Sequence, residues 1–401
     1  MTGFATADPL FSNGVDLTVV LIVIGKTIAV FALLLLSVLM YIWFLRKVIA
    51  RMQNRIGPDR AGPFGLLQTL ADGIKLFFKE QSVPTTADRK IFYLAPYLSL
   101  LPAFLAFSIV PIGGLVTIAG HQTFLQLVDI PLGILLLLAM SGLGIYGVML
   151  AGWASGSKYP LLGSVRASAQ LLSYEAAFGL AIVGVLIQSN TLSTRAIVIK
   201  QGWTGVESIV NGWYWLPAIG ALFVFLIAAV AETNHPPFDL VEAEQELTGG
   251  FFTEYTGIRF AIFYLAEFMN LITMSAIAVT LFFGGPSGPS LGFLAANGWF
   301  NVWVLPVFWF MSKVIVLLFL TVWLRATMPR LRYDQLMALG WKFLIEFAFI
   351  WVMITGVVVV AKEQDWSMWI VLPAVIAGGI AIGAVLYASV PKTTELLEEI
   401  K

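Results

Sequence analysis

The chain of 401 residues contains no cysteine. It therefore forms no disulfide, no iron–sulfur cluster ligated by cysteine and no structural zinc site built from cysteine. Its two histidines, His121 and His235, fall on opposite sides of the membrane in the topology argued below, so they cannot be the paired axial ligands of one haem. Any electron chemistry must therefore use a diffusible molecule or a cofactor on a partner chain.

Charged residues are also scarce: they make up 11% of the chain, whereas hydrophobic residues make up 59%. Because a soluble globular domain carries roughly twice as much charge, the composition indicates a polytopic membrane protein. The formal net charge is zero, which argues against a nucleic-acid partner. No Lys or Arg precedes the first apolar run, and we expect an uncleaved first helix rather than a signal peptide.

Long apolar runs reach the length of about 20 residues that a membrane-spanning helix needs. They predict an all-α fold with about nine such helices in a single membrane domain, residues 1–401. Trp and Tyr mark several of their ends, as membrane interfaces favour. The predicted spans are 17–45, 92–116, 130–151, 165–188, 213–231, 258–283, 302–324, 343–361 and 369–390.

The distribution of basic residues predicts the orientation. Most of the 23 Lys and Arg residues fall on the side that follows the first predicted span. Since Lys and Arg concentrate in cytoplasmic loops, we expect the N-terminus outside and the C-terminus in the cytoplasm. An odd number of spans fits this orientation.

The segment 57–80 has a different pattern. Its apolar residues recur at helical spacing, whereas Asp72, Lys75 and Lys79 occupy another part of the surface. This pattern predicts an amphipathic helix in the plane of the cytoplasmic interface. A helix packed on a soluble partner is the alternative, and the two can hold together.

The segment 231–255 concentrates negative charge in an apolar chain. It contains no Lys or Arg, and predicted spans flank it. If residues 240–247 are helical, Glu242 and Glu246 share a face, and like charges buried together cannot all ionise. Such a group can exchange protons near neutral pH; a solvated acidic face is the alternative. The carboxylates are Glu232, Asp239, Glu242, Glu244, Glu246 and Glu254. This segment forms the predicted acidic cytoplasmic loop, residues 232–257.

Two further carboxylates, Glu175 and Glu267, lie inside predicted spans. A charge in hydrocarbon costs several kcal/mol, so such residues mark functional sites by default. The alternative is that each pairs with a buried Arg or a backbone group. Both lie at a similar depth in their predicted spans, near the end that faces the acidic loop, and this match favours a functional role.

Four motifs closely resemble the H-subunit family of NADH-quinone oxidoreductase, the respiratory complex I whose mitochondrial counterpart is chain 1. They are RMQNRIGPDRAGPFGLLQTLADGIKLFFKE, RASAQLLSYE, AETNHPPFDLVEAEQEL and LAEFMN. The resemblance covers roughly residues 17–390. The ninth predicted span resembles a bacterial extension beyond the eight helices of the mitochondrial form.

The resemblance implies a multi-pass subunit of the bacterial plasma membrane that lines a quinone chamber and begins a proton path. It implies no catalytic residue, no metal and no bound cofactor in this chain, with quinone as substrate. FMN and iron–sulfur clusters would lie on partners, which include the peripheral-arm subunits and small membrane subunits, and membrane lipid would surround the chain. The implied quinone residues are Arg46, Gln53, Arg55, Asp72, Phe260 and Tyr264. The implied proton path comprises Glu175, Glu232, Asp239, Glu242, Glu244, Glu246 and Glu267, with Tyr255, His235 and Arg166 beside it.

This chain departs from the family pattern at three positions. Leu45 stands where the family usually has Glu, so one acidic partner of Arg46 is missing. His235 stands where the family usually has Arg, which replaces a permanent charge with a titratable group. Val241 replaces a Pro or Ala and is a minor change.

Two other functions remain open at this point. The first is the homologous membrane subunit of an energy-converting hydrogenase, against which the 55–72 stretch and the full acidic loop argue. The second is a stand-alone proton-coupled transporter, in which the same carboxylates would serve transport without a redox partner.

Overall fold

The structure is a computed structural model that describes residues 8–12, 14–202, 207–240, 248–289 and 298–367, with a few positions between 369 and 381. Helices dominate these residues, which confirms the predicted all-α membrane fold. Seven helices of the described part are long and apolar enough to cross a membrane. The ninth predicted span, 369–390, and the residues 241–247 lie wholly or mostly outside the described residues.

The helices follow in chain order, with one small hairpin after the third. The strands β1 (Leu115–Ile118) and β2 (His121–Phe124) pair antiparallel, with Leu115 opposite Phe124. The helices are α1 (Leu17–Met52), α2 (Gln68–Phe78), α3 (Arg89–Phe107), α4 (Gly133–Ala154), α5 (Lys158–Ser189), α6 (Thr194–Lys200), α7 (Ser208–Asn211), α8 (Ile219–Glu232), α9 (Ile258–Phe282), α10 (Leu305–Thr327), α11 (Tyr333–Leu339) and α12 (Ile345–Glu363).

Two turns of π-helix lengthen the last spans. The first, Phe300–Val304, runs directly into α10. The second, Gly340–Leu344, joins α11 to α12. Each combination forms one continuous apolar helix, Phe300–Thr327 and Tyr333–Glu363.

Side-chain caps explain where several helices begin or end. Asp16 accepts a hydrogen bond from the backbone N of Leu17 at 2.7 Å, and Asp88 accepts from two backbone N–H groups in the first turn of α3. These carboxylates satisfy donors that a helix N-terminus leaves unpaired. Helix α5 ends at Asn190, whose φ of 47° is a left-handed conformation that Asn tolerates.

Helix α9 is the most buried long helix of the described bundle. It packs against α1, α3, α8 and α10, and every residue from 271 to 282 is buried. A helix that is apolar on all sides belongs in such a position. By contrast, α1, α10 and α12 expose large apolar side chains such as Leu36, Val316 and Met353, as expected for faces that meet lipid.

Glycines allow α4 to approach its neighbours closely. A Cβ at Gly147 would lie 2.2 Å from the Oγ of Ser99 on α3, and one at Gly152 would lie 2.2 Å from the Oγ of Ser164 on α5. No side chain fits at either position. The three helices therefore form a tight layer, and this layer places α4 directly beside the middle of α5.

The second predicted span is shorter as a helix than the sequence suggests. Residues 92–116 form one apolar run, but α3 ends at Phe107 and Val116 lies in the hairpin. Apolar strands and apolar helices look alike in a short run, and the helix ends well before Gly113 and Gly114, which precede the first strand.

The predicted amphipathic helix 57–80 is also shorter, because α2 covers only Gln68–Phe78. The preceding residues form a compact loop in which Gly65 has a φ of 75°. A Cβ at this glycine would lie 2.2 Å from the backbone O of Pro58. This close approach of two backbone segments excludes a continuous helix there.

Helix α8 is shorter than the span predicted for residues 213–231. It begins only at Ile219 and has 14 residues, and it ends at Glu232. Turns occupy the residues just before it. The start of the acidic loop therefore lies at the end of a short helix.

Candidate functional site: a carboxylate-lined cavity

Glu175 lies in the middle of α5 and faces α4. The hydroxyl of Ser141 donates a hydrogen bond to its Oε1 at 2.9 Å. The next residue of α4 is Gly142, where a Cβ would lie 3.2 Å from the same oxygen. The carboxylate therefore lies against the backbone of α4, and no basic side chain pairs with it in the described part of the chain.

Glu232 is the last residue of α8 and approaches the same hydroxyl. Ser141 interacts with its carboxylate, and Glu175 is close enough to repel it electrostatically. Its Oε2 is buried and has no hydrogen-bond partner among the described residues. Such an atom normally bonds to protein or to ordered water.

A cavity of about 70 Å³ lies between α3, α4, α9 and the end of α8. A water molecule needs about 10–15 Å³ of such space, so several can enter. The polar groups around the cavity are numerous enough to bind them. They are Ser99, Ser141, Glu232, Thr233, Asn234, Glu267 and Asn270. The cavity thus connects Glu232 with Glu267, and through Ser141 it reaches Glu175.

His235 follows α8, outside the membrane-spanning helices, and approaches Glu267 of α9. Its Nδ1 lies 3.6 Å from the Oε1 of Glu267 and 2.7 Å from the backbone O of Thr233. Because a carbonyl oxygen only accepts, Nδ1 carries the proton. The other ring nitrogen, Nε2, is buried without a hydrogen-bond partner among the described residues.

Burial is the main cause that lowers the pKa of His235 to about 4, and the positive charge of Arg325 adds to it. Burial disfavours the charged form of an imidazole. The histidine is therefore neutral at pH 7. The sequence identifies His235 only as a titratable residue. Its pKa lies well below neutral pH because the side chain is buried, and burial depends on the packing around it.

Asp239 is held by Arg330 from the loop between α10 and α11. The Nη2 of Arg330 lies 3.5 Å from the Oδ2 of Asp239 and donates to the backbone O of the same residue. The adjacent backbone N of Leu331 donates to the O of Pro237 at 3.2 Å. Together these contacts fasten the start of the acidic loop to the end of α10.

Gln170 of α5 fastens the same loop from the other side. Its Nε2 donates to the backbone O of Ala231 and of Phe238, each at 2.9 Å. Its side chain is fully buried. These bonds fix the end of α8 against α5, and thereby set Glu232 near Glu175.

The residues implied for quinone binding form two local pairs and one aromatic row. The Nη1 of Arg46 lies 2.6 Å from the Oδ2 of Asp72, which joins α1 to α2. The Nε of Arg55 donates to the Oε1 of Gln53 at 2.7 Å, on the exposed surface after α1. The structure thus places these four residues where α1, α2 and the intervening loop meet.

The aromatic row runs along α9. Phe260 stacks on Tyr264 at 5.9 Å between ring centroids, and Tyr264 meets Phe268 at 4.6 Å. Phe268 in turn meets the ring of His235 at 5.6 Å. Because α9 contacts both α1 and α2, this row leads from the Arg46–Asp72 region towards Glu267.

Comparison with known proteins agrees with this arrangement. A family model of NADH dehydrogenase matches residues 25–356. The chain belongs to the NADH dehydrogenase family. It is 47% identical over 382 residues to the H subunit of the NADH-quinone oxidoreductase of Frankia alni, covering 94% of this chain and 82% of the relative. It is 47% identical over 399 residues to the H subunit of the Frankia casuarinae enzyme, covering 98% and 86%. The predicted resemblance is confirmed.

Leu45 stands where the resemblance leads us to expect Glu, and its surroundings suit an apolar side chain. Leu45 is buried in the hydrophobic core, where an ionised Glu would carry a large desolvation cost. Arg46 instead takes its carboxylate from Asp72. The ion pair therefore depends on α2 alone in this chain.

The remaining predicted residues lie apart from the cavity or outside the described residues. Tyr255 stacks on Phe92 at 4.0 Å; its hydroxyl is buried without a described hydrogen-bond partner, and burial raises the pKa of this phenol. Arg166 lies 5.4 Å from the ring centroid of Tyr333. The positions outside the described residues are Val241, Glu242, Glu244 and Glu246.

Three residues of the site escaped sequence reasoning. Ser141 and Gln170 are uncharged, and a search for ionisable groups in apolar runs passes over them. Gln170 does stand in the motif RASAQLLSYE, five residues before Glu175. Arg330 is one of many basic residues on the predicted cytoplasmic side, and its sequence context does not mark it as a partner of Asp239.

Proposed function

We propose that the chain is the membrane subunit of a proton-translocating NADH:quinone oxidoreductase, and that it forms part of the quinone chamber and the start of the acidic proton path. The observation that carries this proposal is the cavity between Glu232 and Glu267. It has room for several waters, and Ser141 extends it to Glu175.

The proton path follows from what each group can donate and accept. A proton on Glu267 reaches Glu232 through waters in the cavity, since carboxylates exchange protons with bound water. The hydroxyl of Ser141 is both a donor and an acceptor, and it interacts with Glu232 and Glu175. It can therefore relay a proton between the two carboxylates. Asp239, Glu242, Glu244 and Glu246 extend this path into the acidic loop.

Helix α9 can couple the proton path to the quinone, because it carries both the aromatic row and the carboxylate of Glu267. Tyr264 and Glu267 are one turn apart on this helix. Electrons reach the quinone from an iron–sulfur cluster of a partner subunit, and FMN accepts them from NADH upstream. Reduction changes the charge in the chamber, and in a medium of low dielectric that change alters the proton affinity of Glu267.

Quinone binding is assigned to the region where α1, α2 and α9 meet. Phe260 and Tyr264 supply apolar contact for the ring or its tail. Arg46, Asp72, Gln53 and Arg55 supply the polar groups near the entrance. The chain resides in a bacterial plasma membrane with its N-terminus outside, in contact with peripheral-arm and small membrane subunits of the same complex.

Two alternative functions use parts of the same site. A membrane subunit of an energy-converting hydrogenase would also carry buried carboxylates, but the polar pairs Arg46–Asp72 and Arg55–Gln53 favour a quinone. A neighbouring gene for a nickel hydrogenase rather than a NADH-binding flavoprotein would support that alternative. A stand-alone transporter would fold and act without partners.

The decisive experiment replaces the two intramembrane carboxylates. Glu175→Gln and Glu267→Gln remove the exchangeable proton but keep the shape, so we expect proton pumping in reconstituted vesicles to fall in both. NADH oxidation with an artificial acceptor reports on assembly and should persist. Glu363→Gln, at an exposed carboxylate that is the last residue of α12, is the matched control. Pumping at the control level in both variants would contradict the proposal.

A further inference from the structure

A basic and aromatic pocket lies on α1, at its predicted cytoplasmic end. Its volume is about 260 Å³. The indole Nε1 of Trp43 donates to the backbone O of Phe64 at 3.0 Å, and this bond holds the loop before α2 beside the helix. The pocket is lined by Trp43, Phe44, Lys47, Val48, Arg51 and Phe64.

Positive charge dominates the rim of this pocket. The Nζ of Lys47 lies 3.4 Å from the Oδ1 of Asp59, a carboxylate that is itself 61% exposed. Such an exposed pair contributes little energy. Arg51 is exposed and has no partner among the described residues. The pocket therefore offers an ammonium and a guanidinium to an anion.

An apolar track continues from the pocket along the same face of α1. At helical spacing, Leu36 and Met40 share a face with Trp43, Lys47 and Arg51. Leu36 is 54% and Met40 is 37% exposed. The core residues Val38, Tyr41 and Leu45 lie on the other side of the helix, and Arg46 turns to Asp72 on α2.

The length of this face of α1 matches the thickness of one bilayer leaflet. Arg51 lies fifteen positions after Leu36, which corresponds to about 22 Å along a helix. Half of a bilayer with its headgroups is also about 20–22 Å. Apolar side chains, a Trp and two cations thus follow one another in the order of acyl chain, glycerol region and phosphate.

We propose that this face of α1 binds one anionic phospholipid of the cytoplasmic leaflet. Its phosphate lies between Lys47 and Arg51, its glycerol region contacts Trp43, and an acyl chain follows Met40 and Leu36. The pocket adjoins the proposed quinone passage at the loop before α2, which contributes Phe64 to the pocket, whereas Arg46 of the passage pairs with Asp72 on α2.

The test uses the purified complex that contains this chain, in phosphatidylcholine vesicles. A photoreactive phosphatidylglycerol with a diazirine in its acyl chain is added, and labelled peptides are mapped by mass spectrometry. We expect labelling of the peptide with Leu36 and Met40, and weaker labelling by the matching phosphatidylcholine probe. Lys47→Gln with Arg51→Gln should lower labelling by roughly five-fold for each cation removed.

Two controls make the comparison specific. Arg89→Gln with Lys90→Gln removes two exposed cations from the same predicted side, at the start of α3, and should leave the labelling unchanged. The double variant Lys47→Arg with Arg51→Lys keeps both positive charges and should therefore retain the labelling. If the double neutral variant fails to assemble, Arg51→Gln alone provides the same comparison, because the Arg51 side chain makes no hydrogen bond or ion pair with the described residues.

Four outcomes would overturn the proposal. They are equal labelling by the two probes, wild-type labelling in the neutral variants, competition by inorganic phosphate, and crosslinking of this face to another protein of the complex in place of lipid. The third would assign the pocket to free phosphate, and the fourth would assign it to a protein interface.

Discussion

At the scale of single residues, His235 combines a titratable ring with almost complete burial. It is buried beside Glu267, and its Nδ1 proton is engaged by the O of Thr233. With its pKa lowered to about 4, it contributes no positive charge at neutral pH. A family member with Arg at this position would place a permanent cation beside the same carboxylate.

The lowered pKa of His235 predicts a loss of stability in acid. In the unfolded chain an imidazole binds a proton below about pH 6.5, whereas in the folded chain it stays neutral until about pH 4. Between these two pH values the unfolded chain therefore binds a proton that the folded chain does not. This difference lowers the free energy of unfolding by on the order of 2 kcal/mol at pH 5. Above about pH 6.5 the imidazole is neutral in both the folded and the unfolded chain, so His235 no longer lowers the stability of the fold.

Thermal unfolding of the complex between pH 7 and pH 4 measures this effect. His235→Asn keeps a donor for Thr233 but does not titrate, so its melting temperature should fall less in acid than that of the wild type. His121→Asn, in the hairpin, removes the other histidine as a control. Identical acid profiles for the wild type and His235→Asn would refute the prediction.

Ser141 is the second residue whose role can be isolated. A hydrogen bond to a charged group contributes about 1.5–3 kcal/mol, so Ser141→Ala should slow proton transfer between Glu232 and Glu175 by roughly ten-fold or more. Ser141→Thr keeps the hydroxyl and should restore most of the pumping.

Proton uptake in vesicles, compared with electron transfer to an artificial acceptor, measures the effect of Ser141. Ser37→Ala is a suitable control, because this hydroxyl bonds only the backbone of its own helix. A Ser141→Ala enzyme that pumps as well as the Ser37→Ala enzyme would exclude the hydroxyl from the path.

At the scale of elements, the start of the acidic loop is held between two helices. Gln170 of α5 binds the backbone on one side. Arg330 and Leu331, after α10, bind Asp239 and Pro237 on the other. These contacts attach the start of the loop both to α5 and to the segment that follows α10.

Loss of Arg330 should loosen this attachment. Arg330→Gln removes one cation from beside the largely buried Asp239 carboxylate, which costs about 1–3 kcal/mol. We expect faster hydrogen exchange in the peptide that covers residues 237–240, together with reduced proton pumping. Lys342→Gln, at an exposed basic residue nearby in sequence, is the control. Exchange rates equal to those of the control would show that Arg330 does not hold the loop.

At the scale of the whole molecule, the proposed function makes this chain one part of a larger assembly. Both Frankia relatives are named as subunits of an NADH-quinone oxidoreductase. We expect the chain purified alone in vesicles to show no NADH oxidation and no proton transport, whereas the complete complex shows both. Proton transport by the chain alone would support the transporter alternative instead.

Sequence reasoning predicted the helices well and the contacts between them only in part. Apolar runs identify α1, α4, α5 and α9 because burial in lipid demands them, but the same signal joined the hairpin at Val116 to α3. Charges in apolar runs identify Glu175 and Glu267. The connection between these two carboxylates depends on Ser141 and Gln170. Uncharged polar residues of this kind are common in helices, so their roles become visible only when the packing of the helices is known.

The short helix α8 has a consequence for membrane energetics. Its 14 residues cover about 21 Å, whereas the hydrocarbon core is about 30 Å thick. If Ile219 is level with the outer surface, Glu232 lies within the core, at a depth where part of the transmembrane voltage has already dropped. Each elementary charge that crosses the full membrane gains or loses about 2.3 kcal/mol per 100 mV. Proton transfer to Glu232 is then an electrogenic step in itself, and its equilibrium shifts with the membrane potential.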